Sequence, residues 1–292
     1  MPDFESPAAL AAGLADAGYL ADEGLAMAGF LALRLHRPIF LEGDAGVGKT
    51  AFAAALAETA GVELIRLQCY EGLDASHALY DWDFARQVLH LRALESIGTA
   101  AHGTLSAEEL EADLYHRRFL LARPLLRAIE RAPCVLLVDE VDRADDEFEA
   151  YLLEVLADAA VTVPELGTIT AEVPPVVVVT SNRTREVHDA LKRRCLYHWV
   201  GHPTPERETA ILRRRLPGLD ERLAAQVAAA TAHLRTLDLV KPPGVAEAID
   251  WAAALRALAA DTLTAGLADA TLGVVLKVRE DIELAAGTVG AR

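Results

Sequence analysis

The chain is 292 residues long, 52% hydrophobic, and carries a formal net charge of −16. This composition excludes a disordered chain and leaves room for a main domain of roughly 200 residues plus a smaller one. The acidic balance argues against nucleic acid held through the net field and points to protein or small-molecule partners. Cys69, Cys134 and Cys195 are odd in number and far apart, which reads as reduced thiols in a cytoplasmic protein. The start, Met-Pro-Asp-Phe-Glu-Ser-Pro, lacks a basic n-region, and no apolar run approaches the ~20 residues needed to span a bilayer. Stable membrane insertion is therefore not expected.

In chain order, residues 18–35 predict an amphipathic helix that ends before Pro38. Residues 38–41 read as a buried strand and residues 50–60 as a helix. Between them, Gly43-Asp44-Ala45-Gly46-Val47-Gly48-Lys49-Thr50 matches the P-loop pattern, with Ala51 next in the helix. Each position has a physical reason. The glycines allow unusual backbone dihedrals and a close approach to a ligand, so that successive N–H groups face phosphate oxygens. Lys49 adds a cation for the β- and γ-phosphates, the helix N-terminus adds its positive end, and the Thr50 hydroxyl is placed to bind magnesium. The motif predicts a site for a nucleoside triphosphate with Mg2+.

Residues 62–67 predict a second strand, followed by a mostly polar, helical stretch over about 74–130. Ala132-Pro133 breaks the chain, and Cys134-Val135-Leu136-Leu137-Val138 is the continuous apolar run of a strand buried on both faces. Asp139-Glu140 at its carboxyl end is a Walker B pattern. Asp139 would hold magnesium through water, and Glu140 would orient or deprotonate the water that attacks the γ-phosphate.

A helix over 147–159 follows, then a hairpin over 161–170 with its turn near Pro164 to Gly167. Residues 176–180 and 197–200 predict two more strands, and beyond the proline-bearing segment 201–205 the pattern is helical to the end. Alternating strands and helices imply an α/β P-loop NTPase core with a doubly wound parallel sheet, followed by an all-α domain. The expected division is a nucleotide-binding core over 1–203 and a helical lid over 204–292. Nine scattered histidines, with His188, His198 and His202 the closest group, fit no metal-ligand spacing.

Beyond these motifs the chain resembles an AAA+ ATPase of the MoxR group, and in detail its CoxD-like members associated with carbon monoxide dehydrogenase gene clusters. The segments that carry the closer likeness are Gln68-Cys69-Tyr70-Glu71-Gly72-Leu73-Asp74-Ala75-Ser76, Tyr80-Asp81-Trp82, Ser181-Asn182-Arg183-Thr184-Arg185-Glu186 and Asp189-Ala190-Leu191-Lys192-Arg193-Arg194-Cys195. The resemblance implies that the nucleotide is ATP and that Asn182 is sensor 1, a polar group reaching the γ-phosphate or attacking water. It implies that Arg194, or less directly Arg193, is the arginine finger supplied to a neighbouring subunit.

It also implies a homo-oligomeric ring, most often hexameric. A von Willebrand factor A domain protein is the associated partner, and a molybdenum hydroxylase of the carbon monoxide dehydrogenase kind is the client. The hairpin over 161–170 resembles the pre-sensor 1 hairpin, and the polar segment after Leu67 resembles the helix 2 insert. One departure stands out. In Lys241-Pro242-Pro243-Gly244-Val245, Val245 lies near the position where many relatives carry the sensor 2 arginine, and Lys241 is the nearby cation.

Two other functional classes share the P-loop. A kinase or nucleotide-gated switch fits less well with a water-activating carboxylate at Glu140. A nucleic-acid motor or loader fits less well with the −16 charge.

Overall fold

The computed structural model describes residues 4–98 and 107–289. Its elements in chain order are α1 (Pro7–Asp16), α2 (Glu23–Leu35), β1 (Ile39–Glu42), α3 (Lys49–Ala60), β2 (Glu63–Gln68), α4 (Ala75–Ala78), β3 (Tyr80–Trp82), α5 (Phe84–Gly98), α6 (Ala107–Leu114), β4 (Leu120–Ala122), α7 (Pro124–Glu130) and β5 (Cys134–Asp139). They continue with α8 (Asp146–Asp158), β6 (Ala160–Val163), β7 (Gly167–Thr170), β8 (Val176–Ser181), α9 (Asp189–Arg194), β9 (Leu196–Trp199), α10 (Pro205–Arg215), α11 (Glu221–Leu234), α12 (Val245–Ala257), α13 (Ala265–Val275) and α14 (Arg279–Ala285).

The main sheet has the strand order β2-β5-β8-β1-β9. Its β2–β5 and β5–β8 pairs are parallel, in registers that set Gln68 beside Asp139 and Val138 beside Val179. β5 is buried along its whole length, as its unbroken apolar sequence requires when helices cover both faces. The expected doubly wound α/β core followed by helices is the architecture found.

Two compact units divide the chain. One comprises Leu31–Phe40 and Gly61–Leu196; the other comprises the described residues of Pro2–Phe30, Leu41–Ala60 and Tyr197–Arg292. In the first, Phe40, Ile65, Leu136, Val138, Val179 and Phe148 belong to a single apolar core. In the second, α10 to α14 close around fully buried Trp251, whose indole N–H donates to Thr271 Oγ1 at 2.7 Å. A buried aromatic with a satisfied N–H keeps its burial energy without a desolvation penalty.

Some boundaries moved. The helix expected from residue 18 starts at Glu23, because Gly18 adopts a left-handed φ of 81° that closes α1, and Asp22 accepts the Leu25 N–H at 2.7 Å as a cap. The stretch over 74–130 is not all helical. β3 and β4 pair antiparallel within it, Tyr80 opposite Ala122 and Trp82 opposite Leu120. Strands of three residues leave no periodic trace for a sequence to display. Residues 99–106 of that stretch lie outside the described residues. The hairpin is present, with Val161 opposite Ile169 and Val163 opposite Gly167.

Candidate functional site

The P-loop lies in the second unit, between the end of β1 and the start of α3. Gly46 and Gly48 have φ of 77° and 102°, a region that side-chain-bearing residues rarely occupy. A side chain at Gly43 would bring its Cβ to 2.2 Å from the Val200 carbonyl oxygen, so glycine is required by the close pass of the segment after β9. That segment is tied by the Val200 N–H donating to the Glu42 carbonyl at 2.7 Å. Lys49 is nearly buried, and its ammonium donates to the carbonyls of Gly43 and Asp44, both at 2.7 Å, so the loop curls around its own cation. Thr50 and Ala51 follow in the first turn of α3, where unsatisfied N–H groups and the helix dipole favour an anion. The donor set fits a polyphosphate.

Beside the loop is a cavity of about 180 Å³, more than ten times the roughly 15 Å³ that one water needs. Tyr19, Val47, Ala51, Ile211, Val245 and Ile249 line it with apolar surface, and Arg207 and Arg215 contribute its basic wall. An apolar slot next to a phosphate cradle is suited to a planar base. Tyr19 is braced edge-on against Phe52 at 5.8 Å between ring centroids, and burial pushes its hydroxyl pKa well above the usual tyrosine range.

The 241–245 segment bears directly on the loop. The Val245 N–H donates to the Gly46 carbonyl at 2.9 Å and the Ala246 N–H to the same oxygen at 3.3 Å. The approach is fixed from three sides: Asp281 accepts the Val240 and Lys241 N–H groups, Arg235 donates to the Pro243 carbonyl, and Glu247 accepts the Gly244 N–H. Arg235 is held in turn by a bidentate pair with fully buried Glu208. Lys241 is exposed, and its tie to the fold is through its backbone.

Gly244 has an ordinary φ of −83°, so its need for glycine is spatial: a Cβ there would sit 2.8 Å from Ala45 O and from Gly46 Cα and C, all backbone atoms that cannot rotate away. Gly244→Ala is expected to cost about 1–3 kcal/mol of stability and to weaken nucleotide binding together with it. Melting temperature and the affinity of a fluorescent ADP analogue measure both; a variant unchanged in each would show that the close contact is dispensable.

The acidic pair lies in the first unit. Asp139 ends β5 with a side chain 3% exposed; it accepts from Thr180 Oγ1 at 2.6 Å and from the Arg66 guanidinium at 2.6 Å. The Thr180 hydroxyl oxygen also accepts the Glu140 N–H at 2.9 Å, so one hydroxyl orients both acidic residues. Glu140 stands in the left-handed region, at φ 56° and ψ 51°, a strained conformation for a residue with a side chain. Its carboxylate accepts from Asn182 Nδ2 at 3.1 Å on one oxygen and from Gln68 Nε2 at 3.1 Å on the other, which also forms an ion pair with Arg143 Nε at 3.0 Å. Asn182 is placed by buried Asp142, which accepts the N–H groups of Asn182 and Thr184 and the Thr184 hydroxyl. Burial alone would raise the Asp142 carboxyl, but the bonds from Thr184 and Asn182 outweigh it and hold its pKa below the usual range.

Asp139, Glu140 and Asn182 are thus brought together; Arg194 stands apart from them, at the end of α9. It is exposed, its guanidinium donates to the Leu153 carbonyl on α8, and its own carbonyl accepts from Arg37. Arg193 has a side chain 83% exposed that pairs loosely with Asp189 at 3.9 Å, and its carbonyl accepts from Arg37 at 2.9 Å. Among the described residues no cluster of three His, Cys, Asp or Glu side chains offers a metal cage, and His198 and His202 instead lie near Asp22 and Asp44. A single buried carboxylate such as Asp139 is the sparse protein donor set that suits magnesium, an ion that keeps several of its waters. Sequence reasoning gave no role to Arg66, Gln68, Arg143, Thr180 or Gly244. The signal for Thr180 is its place two residues before Asn182, and for Gln68 its register opposite Asp139.

No described helix is long and apolar enough to cross a membrane. The chain is similar to midasin of Giardia intestinalis, 52% identical over 48 residues; the match covers 16% of this chain and about 1% of that protein's length. A solved structure of a Thermotoga maritima RuvB mutant shares the fold with a TM-score of 0.50 at 15% identity, over 89% of this chain and 70% of that one. The AAA domain of the dynein-related subfamily matches residues 38–195, more than half of the chain and the span that holds the P-loop, the acidic pair and Asn182, and the chain belongs to that AAA family of P-loop ATPases.

Proposed function

We propose that this chain is an ATP-hydrolysing remodelling ATPase of the MoxR type, acting in metal-centre maturation of a molybdenum hydroxylase such as carbon monoxide dehydrogenase. The observation that supports hydrolysis over a binding switch is the Asn182 amide on the Glu140 carboxylate, a polar group bonded to a base that would face attacking water. The resemblance of the 68–76, 80–82, 181–186 and 189–195 segments supports the narrower assignment.

In this reading residues 43–51 bind the nucleotide, Lys49 neutralises the β- and γ-phosphates, and Thr50 and Asp139 hold Mg2+. Bound magnesium supplies charge neutralisation across the phosphates. Lys49 must leave the Gly43 and Asp44 carbonyls to do its part, an exchange of two backbone acceptors for phosphate oxygens. Glu140 orients or deprotonates the water, Asn182 positions Glu140, and Arg194 of a neighbouring copy reaches the γ-phosphate. The active assembly is then a ring, six-membered by family habit, with residues 1–203 as its core and 204–292 as its lid. A von Willebrand factor A domain protein is the partner this type implies.

The test is reconstitution of a metal-deficient molybdenum hydroxylase with Mg-ATP and either the wild-type chain or Lys49→Ala. Hydroxylase activity should rise with wild type alone, and ATP turnover should fall at least a hundredfold in the variant. ATP turnover with no effect on the hydroxylase would remove the client; equal turnover in both proteins would remove the ATPase reading.

A further inference from the structure

Arg66 sits on β2, an edge strand of the sheet, with its side chain 52% exposed, yet its guanidinium reaches the nearly buried Asp139 at 2.6 Å. The same nitrogen donates to Gln68 Oε1 at 2.5 Å, and Gln68 Nε2 donates to Glu140 Oε2 at 3.1 Å. The chain of contacts therefore runs from the carboxylate assigned to magnesium, through a cation, through an amide, to the carboxylate assigned to water.

A guanidinium spends its donors in fixed directions and cannot bond Asp139 with the same lone pairs that a magnesium-bound water would use. Asp139 accepts from Thr180 on one oxygen and from Arg66 on the other, so a magnesium ion approaching either oxygen meets the guanidinium charge on the same carboxylate.

We propose that Arg66 is a positioning residue that competes with magnesium for Asp139 and so sets how much of the ion the site needs. The inference rests on the magnesium role assigned above. An ion pair with one half-exposed partner is a modest competitor, on the scale of a few-fold to about tenfold in apparent metal affinity.

Binding of a fluorescent ADP analogue, measured in EDTA and across a magnesium titration, reads this without turnover. Arg66→Ala is expected to keep the EDTA affinity of wild type and to need about threefold to tenfold less magnesium for half its metal-dependent gain. Arg66→Gln, which keeps length without charge, should behave as the alanine variant does, whereas Arg66→Lys should stay near wild type. A magnesium midpoint unchanged in both neutral variants overturns the inference while leaving the nucleotide reading intact. Affinity already lost in EDTA would mark Arg66 as a structural prop and overturn it as well. A wild-type protein that binds no nucleotide under either condition overturns both.

Discussion

Replacing Arg194 with alanine is expected to lower ATP turnover by about 10³–10⁵-fold while nucleotide binding by the same chain persists. The size follows from the finger role proposed for it, in which the cation would meet the γ-phosphate as negative charge redistributes. The fold gives little reason for a structural effect. Arg194 is exposed, and the bond from its side chain to the Leu153 carbonyl, the contact that truncation removes, is worth about 1 kcal/mol. The anchors of α9 lie elsewhere: Leu191 is buried, and buried Glu149 accepts the His188 N–H at 2.9 Å and pairs with Arg185. Stability should therefore be nearly unchanged.

Arg193, loosely paired with Asp189, should lose much less when truncated. The decisive measurement mixes Arg194→Ala with Glu140→Gln, each inactive alone. If the proposed ring forms, some of its sites would combine an intact Glu140 with an Arg194 from the other variant, so partial turnover should return. Normal turnover in Arg194→Ala alone would end the finger assignment, and a mixture as dead as its components would end the shared site.

Glu140→Gln should slow hydrolysis by about 10²–10⁴-fold and leave ATP bound, the loss of a general base without loss of the cradle. Glutamine can take the same left-handed backbone and still accept from Asn182 on one oxygen. Its new amide would face the Gln68 and Arg143 donors, but both of those side chains are exposed and can turn to water. The change in melting temperature is accordingly small, and phosphate release together with ATP-analogue affinity separates chemistry from binding. Turnover within a few-fold of wild type would show that Glu140 does not act on water.

Much of this protein was legible from local pattern alone. β1, β5 and β8 are each built on a continuous apolar run that ends in polar residues at the carboxyl end, and the expected bounds lie within a residue or two of those found because strands buried on both faces favour such runs. The P-loop is equally local, since its glycines, lysine and threonine act through the backbone of eight consecutive residues. The antiparallel pair of β3 and β4 escaped, being too short to show a period, and so did α1, an alanine-rich decamer whose apolar residues mark no sharp face.

Contacts between distant stretches lay beyond any such pattern. Parallel register brings Gln68 to Asp139 and sets Thr180 beneath both acidic residues, while Arg66 reaches across from the neighbouring strand. Gly244 lies far from Gly46 in the chain, and its requirement for glycine exists only because α12 comes to rest on the P-loop. Propensity and motif are properties of neighbours along the chain, and so the nature and order of the elements follow from sequence. Which donor meets which carboxylate depends on strand register and helix docking, where hundreds of small packing terms sum before any single hydrogen bond can form.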